Sequence, residues 1–230
     1  MMSLLEVVAM NEVDAEAAEV GGADRIMAVA DRQSGGLSPD PKTVAAMRRT
    51  TSLPIRVVLR AKGGFRTTEP ELDRLCRAAA AHAGAGADGF VFGFLHADHT
   101  VDLSATARLA DAVRPLPWTF YRAIDHATEP EAAWRALRLL RGLDSVLCAG
   151  AAGGVGAGME ALLRRAAEDA RLMLVGGGLR RTHVAALAAA GVRAFQVEDA
   201  VRPVGAGEQA PVDAARVREW RTLVDAASER

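Results

Sequence analysis

The chain has 230 residues, half of them apolar, which is enough for a sizeable core. Its 28 Lys and Arg nearly balance 29 Asp and Glu with no block of like charge, which gives no reason to expect nucleic acid or an anionic membrane as partner. Two cysteines outside any CxxC pair, an N-terminus without a signal-peptide pattern and no apolar run of about 18 residues predict a reduced, cytoplasmic protein without disulfides or a membrane span.

Residues 4–9 form a first apolar run, and residues 13–20, rich in Ala and Glu, a helix that Gly21 and Gly22 end. A second run, 25–30, leads through a loop at 33–39 to a helix over 41–49 and a third strand over 55–60. A helix over 69–83, a strand over 89–93 and a helix over 104–113 follow. The fifth strand, 118–121, contains the only tyrosine of the chain and is followed by a helix over 130–141, with Pro130 at a tolerated early position. The remaining pattern is strand 145–148, helix 159–168, strand 172–175, helix 182–190, strand 194–197 and helix 213–227.

These are eight strand–helix units of about 29 residues each, the length a compact βα repeat needs. Continuous apolar strands alternating with helices predict a parallel sheet covered by helices, and closing eight of them gives an α/β fold, a (β/α)8 TIM-type barrel, as a single domain over residues 1–230. The rival, an open doubly wound sheet, would want a glycine fingerprint after the first strand, where Ala9-Met10-Asn11-Glu12 has none.

A barrel of this kind assembles its site from the C-terminal ends of the strands. Arg60 and Lys62 end the third strand, Tyr121, Arg122 and Asp125 the fifth, and Glu198 and Asp199 the eighth. Glu6 lies inside the first strand, where burial is costly unless a cation meets it; Arg60 and Arg122 are the expected partners. Glu6, Arg60, Tyr121, Arg122, Asp125 and Glu198 are the candidate catalytic set. The arginines would clamp a carboxylate or phosphate, and the tyrosine or a carboxylate would serve as acid or base. This predicts binding or turnover of a small anionic molecule, with lyase, isomerase or hydrolase chemistry. The same residues also read as a structural ion-pair cluster filling the barrel mouth.

Gly150, Gly153 and Gly154 follow the sixth strand, and Gly176, Gly177 and Gly178 the seventh. Such loops either turn backbone N–H groups toward an anion near a helix start or serve only as tight turns. Cys148, at a strand end, is the one candidate metal ligand, while Cys76 reads as helix packing. His96 and His99, beside Asp98, read as a solvated turn, and His126 lies on another loop. The expected partner is a small molecule, with a homodimer left open.

Leu5-Glu6-Val7, Gly22-Ala23-Asp24-Arg25-Ile26, Gly35-Gly36-Leu37-Ser38-Pro39, Thr119-Phe120-Tyr121-Arg122-Ala123-Ile124-Asp125 and Gly176-Gly177-Gly178 run in an order that resembles the CutC family over about residues 4–200. The resemblance implies a TIM-type barrel and a role in copper homeostasis, with copper as a ligand. Glu6, Asp24, Arg25, Arg60, Arg122 and Asp125 match the family pattern. Val8 stands where a cysteine is common, Met27 and Val29 where a glutamate and a cysteine are usual, and Tyr121 and Glu198 where histidines are. Ala61-Lys62 replaces a Pro-Arg, and Cys148-Ala149-Gly150 a Thr-Ser-Gly. Copper favours thiolates, thioethers and imidazoles, so these departures predict a divergent member with a poor copper donor set.

Overall fold

The alternation of strands and helices closes into a barrel. A computed structural model describes residues 3–32, 34–203, 205, 207 and 209–229 of the protein; Gln33, in the loop read after the second strand, lies outside them. The strands are β1 (Leu4–Ala9), β2 (Arg25–Ala28), β3 (Ile55–Val58), β4 (Gly89–Phe92), β5 (Trp118–Phe120), β6 (Leu143–Cys148), β7 (Met173–Val175) and β8 (Ala194–Val197). All pair in parallel in chain order, and β8 returns to β1. The covering helices are α1 (Glu12–Val20), α2 (Pro41–Thr50), α3 (Glu69–Gly84), α4 (Leu103–Ala112), α5 (Pro130–Leu137), α6 (Val155–Asp169), α7 (Arg181–Ala189) and α8 (Ala214–Ser228). Among the described residues no helix is long and apolar enough to cross a membrane.

Local chemistry sets the helix starts. Asn11, Asp40, Thr68, Asp102 and Asp213 each accept a hydrogen bond from a backbone N–H of the first turn that follows, meeting donors a helix start leaves open. At α3 the cap is reciprocal, because the Glu71 side chain returns to the Thr68 N–H.

Two helices differ from the pattern in the sequence. The fifth stops at Leu137, because Gly142 (φ 78°) turns the chain and β6 begins at Leu143. The sixth begins at Val155, inside the glycine-rich stretch, with Gly154 as its cap. A Cβ on Gly158 would stand 2.0 Å from the Ala149 carbonyl oxygen, so this glycine lets the first turns of α6 press directly on the end of β6. Glycine there serves close packing within a helix, which composition alone reads as loop.

The core has two compartments. Leu5, Val7 and Ala9 of β1 belong to the large cluster between sheet and helices. Val8, Met27, Val29, Val58, Val91, Tyr121, Leu147 and Leu174 form a separate, smaller cluster, drawn from the alternate side chains, that fills the barrel interior. This inner layer divides the barrel's polar interior into a lower and an upper group.

Candidate functional site

The lower group contains Glu6. Register places Glu6 beside Arg25 of β2 and Gln196 of β8. Arg25 Nε donates to its carboxylate at 2.5 Å, and Gln196 Nε2 at 2.7 Å. Glu6 is fully buried and Arg25 is 7% exposed. The expected pairing of Glu6 with Arg60 or Arg122 is therefore incorrect. Val8 lies two residues beyond Glu6 toward the mouth and Val58 two residues short of Arg60, so the apolar layer stands between them. A pattern of side chains facing inward names the interior residues; inter-strand register decides which of them meet.

The upper group gathers around Tyr121, just past β5. Its hydroxyl donates to the Gly35 carbonyl, and burial, followed by the negative charge of Glu198, pushes its pKa up to about 12. Arg60, Arg122 and Asp125 are the other charged groups acting on it. Four of the other five candidate catalytic residues thus act on this one hydroxyl, and Glu6 does not.

Arg60 follows the end of β3. Its Nε donates to the Gly64 carbonyl at 2.8 Å, and its Nη1 to the carbonyls of Gly35 at 2.8 Å and Gly36 at 3.2 Å. The guanidinium lies 5.0 Å from the Phe65 ring centroid and 5.7 Å from that of Tyr121. Burial draws its pKa down, opposed by Tyr121 and Asp31. Among the described residues it has no carboxylate in contact, and its Nη2 has no partner.

Arg122 is held differently. Its Nε donates to Asp125 at 2.9 Å, and the guanidinium lies against the backbone of Gly177. A Cβ on Gly177 would stand 2.6 Å from Arg122 Cζ, and its φ of 86° also favours glycine, so any other residue would displace the cation. Asp125 accepts from the amides of Ala149 and Gly150, each at 2.9 Å. Burial raises its pKa, against the opposing effects of Arg122 and the two amides.

Asp125 changes the reading of the glycine loops. The Gly150 amide, expected to face an external anion, already binds the protein's own carboxylate. The Gly154 amide donates to the Ala151 carbonyl and the Gly176 amide to that of Cys148. Only the amides of Gly153, Gly177 and Gly178 among those six lack a partner among the described residues. Internal hydrogen bonding has claimed the rest, as buried backbone requires.

Glu198 lies past β8 with no hydrogen bond or ion pair among the described residues. Burial first, then the adjacent Asp199, raises its pKa. A raised carboxylate pKa means that folding favours the protonated form, so this contribution is present at low pH and lost as pH rises through the folded pKa. Glu198→Gln is expected to melt above the parent protein at pH 7 and to lose that advantage as pH falls below the carboxylate range. A gap that is unchanged or widens in acid would contradict the assignment.

Cys148, the candidate metal ligand, is 4% exposed, and burial pushes its thiol well above the usual range, with Asp125 adding to the effect. A thiol held protonated is neither a ready nucleophile nor a ready ligand. With a disulfide reagent at pH 8 the native protein should react at no more than one thiol, the half-buried Cys76, and denaturation should expose the second. Rapid reaction at both would refute the packing of Cys148. Residues that the candidate set omitted also carry polar structure: Arg25 and Gln196 below, Phe65 above, and a buried Asp14–Arg202 pair beside the barrel. Gln196 was signalled by its spacing of two from Glu198, which puts both on one face of a strand.

The fold and this geometry define a (β/α)8 barrel protein with a polar, tyrosine-centred mouth at the C-terminal ends of its strands. The sequence model of the CutC family matches residues 3–200. The chain is 33% identical over 194 residues to a family protein CutC of Klebsiella pneumoniae (strain 342), covering 84% of this chain and 78% of that one. It is also 33% identical over 180 residues to the human copper homeostasis protein cutC homolog, covering 76% and 65%. A CutC crystal structure from Streptococcus agalactiae superposes with a TM-score of 0.77 at 20% identity, over 85% of this chain and 98% of the other. The chain belongs to the CutC family.

Proposed function

We infer that the barrel mouth binds a small anion, a carboxylate or phosphate, between Arg60 and Arg122. The observation that carries this reading is Arg60. It is a 9%-exposed cation whose three hydrogen bonds among the described residues all go to backbone carbonyls, with no partner there for its remaining nitrogen. A buried charge is costly unless an opposite charge meets it, and among the described residues none touches this one. Arg122 adds a second cation, fixed by Asp125, and the amides of Gly177 and Gly178, unpartnered among the described residues, lie on its side of the mouth. Tyr121, neutral at pH 7, would supply a proton donor, and Glu198, with its raised pKa, an acid or base. Lyase, isomerase or hydrolase chemistry on a small polar substrate fits these groups. Two free cysteines fit a reducing, cytoplasmic setting.

Calorimetric titration with pyruvate and with inorganic phosphate tests the reading. Saturable binding is expected for at least one of them, weakened ten-fold or more in Arg60→Gln. Binding that Arg60→Gln leaves unchanged, or no binding of either, would overturn it.

Family membership favours a second reading, copper homeostasis, and the donor set can be tested against it. Val8, Met27, Val29 and Tyr121, standing where the family offers sulfur, carboxylate or imidazole, come together in the apolar interior cluster. Met27 Sδ accepts a hydrogen bond from Gln196 Nε2 at 3.4 Å. Cys148 is buried as a thiol, and among the described residues no three His, Cys, Asp or Glu are grouped to hold a metal ion. These residues do not fit copper. In competition with a chelator of known affinity, the chain should take up Cu(I) or Cu(II) no better than an unrelated protein of similar Cys, Met and His content. One stoichiometric site lost on Cys148→Ser would contradict this.

A further inference from the structure

We propose that a second cavity, beside the barrel mouth, binds an organic anion with a planar apolar part. The cavity has a volume of about 650 Å³, within the usual range for small-molecule sites. It lies among the loops that follow β3, β4 and β5. Lys62, Arg66, His96, His99 and His126 line it, and no carboxylate does. Lys62 and Arg66 make such a wall attractive to negative charge.

Two of the basic groups have a carboxylate neighbour. Lys62 Nζ pairs with Glu71 at 2.9 Å, and His96 Nδ1 stands 3.6 Å from Asp102; neither carboxylate lines the cavity. Arg66 has no ion pair among the described residues. The stretch carrying His96 and His99 is the exposed turn its residues predict, and it is well tied: Leu95 bridges Val101, the His96 amide donates to the Thr100 carbonyl, and Asp98 receives the Thr100 N–H. His99 takes the left-handed backbone conformation, φ 64°, and its carbonyl is tied down by the Thr128 amide. A strained residue so anchored is a mark of a positioned side chain.

Phe65 supplies the apolar wall and the boundary. Its ring centroid is 4.9 Å from that of His126, and its ring also stacks under Arg60, which belongs to the mouth. A planar ligand would meet the Phe65 and His126 rings, and its charge Lys62, Arg66 and the two other histidines. The cavity stands on its own lining and does not depend on an anion at Arg60.

Phenyl phosphate, followed by NMR of histidine-labelled protein, tests the proposal. Saturable shifts are expected at His96, His99 and His126 together. The double variant Lys62→Ala/Arg66→Ala, both positions exposed, should weaken binding ten-fold or more. Undiminished affinity in that double variant, or a shift at His126 alone, would place the ligand elsewhere and overturn the proposal. The absence of saturable shifts would do the same. Equal affinity for inorganic phosphate would remove the planar part of the claim.

Discussion

Asp14→Ala should lower stability by about 3–5 kcal/mol, the cost of stranding a buried partner charge. For a chain of this length that corresponds to a fall in Tm on the order of 10 °C. Asp14 is fully buried at the start of α1 and accepts from Arg202 Nη2 at 2.9 Å, the Met10 amide at 2.9 Å and the Val212 amide at 2.8 Å. Arg202, 3% exposed, also donates to the carbonyls of Val8 and Ala210, and its Nε has no partner among the described residues. The pair ties α1 to the segment that leads into α8. Removing the carboxylate leaves a buried guanidinium and two amides unmet, far from water that could replace it. Asp14→Leu with Arg202→Met should recover part of the loss, because both desolvation costs disappear together. Urea melts decide it; a single variant within about 2 °C of the parent would refute the role.

Arg25→Ala is expected to be as damaging, again about 3–5 kcal/mol, because Glu6 would keep only the Gln196 amide inside the barrel. Arg122→Ala should cost less, roughly 1–2 kcal/mol, since Asp125 retains the Ala149 and Gly150 amides. The Arg122 side chain is also 22% exposed. The contrast tests the layering of the barrel. Equal losses, or a greater loss from Arg122→Ala, would mean that Glu6 depends on the mouth after all.

Much of the architecture was legible in the sequence because it rests on local patterns. Apolar runs of four to six residues between amphipathic helices are a period that any reader of the chain can count, and eight such units at about 29 residues suit a closed barrel. β1 and β8 occupy the residues read from the pattern, 4–9 and 194–197. The third and fifth strands end sooner than their apolar runs, at Val58 and Phe120, which leaves Arg60 and Tyr121 in the loops above the barrel. Apolar character continues past the last ladder bond, so composition overruns the strand.

The site divides along the same line. That charged residues gather at the C-terminal ends of strands followed from the sequence, since strand direction and order alone set it. That Arg60, Tyr121, Arg122, Asp125 and Glu198 share the mouth while Glu6 lies beneath an apolar layer did not, because depth in a barrel is decided by register between strands distant in sequence. The glycine loops show the same limit. Their freedom to turn is written in the residues, but which amides stay open depends on Asp125, 25 residues from Gly150, reaching into them first. Likewise His96, His99 and His126 look like scattered loop residues until the ends of β4 and β5 bring them around one cavity. Local periodicity determined the elements and their order; the tertiary structure alone decided which charges meet, because ion pairs and hydrogen bonds act over a few ångströms of space and take no account of distance along the chain.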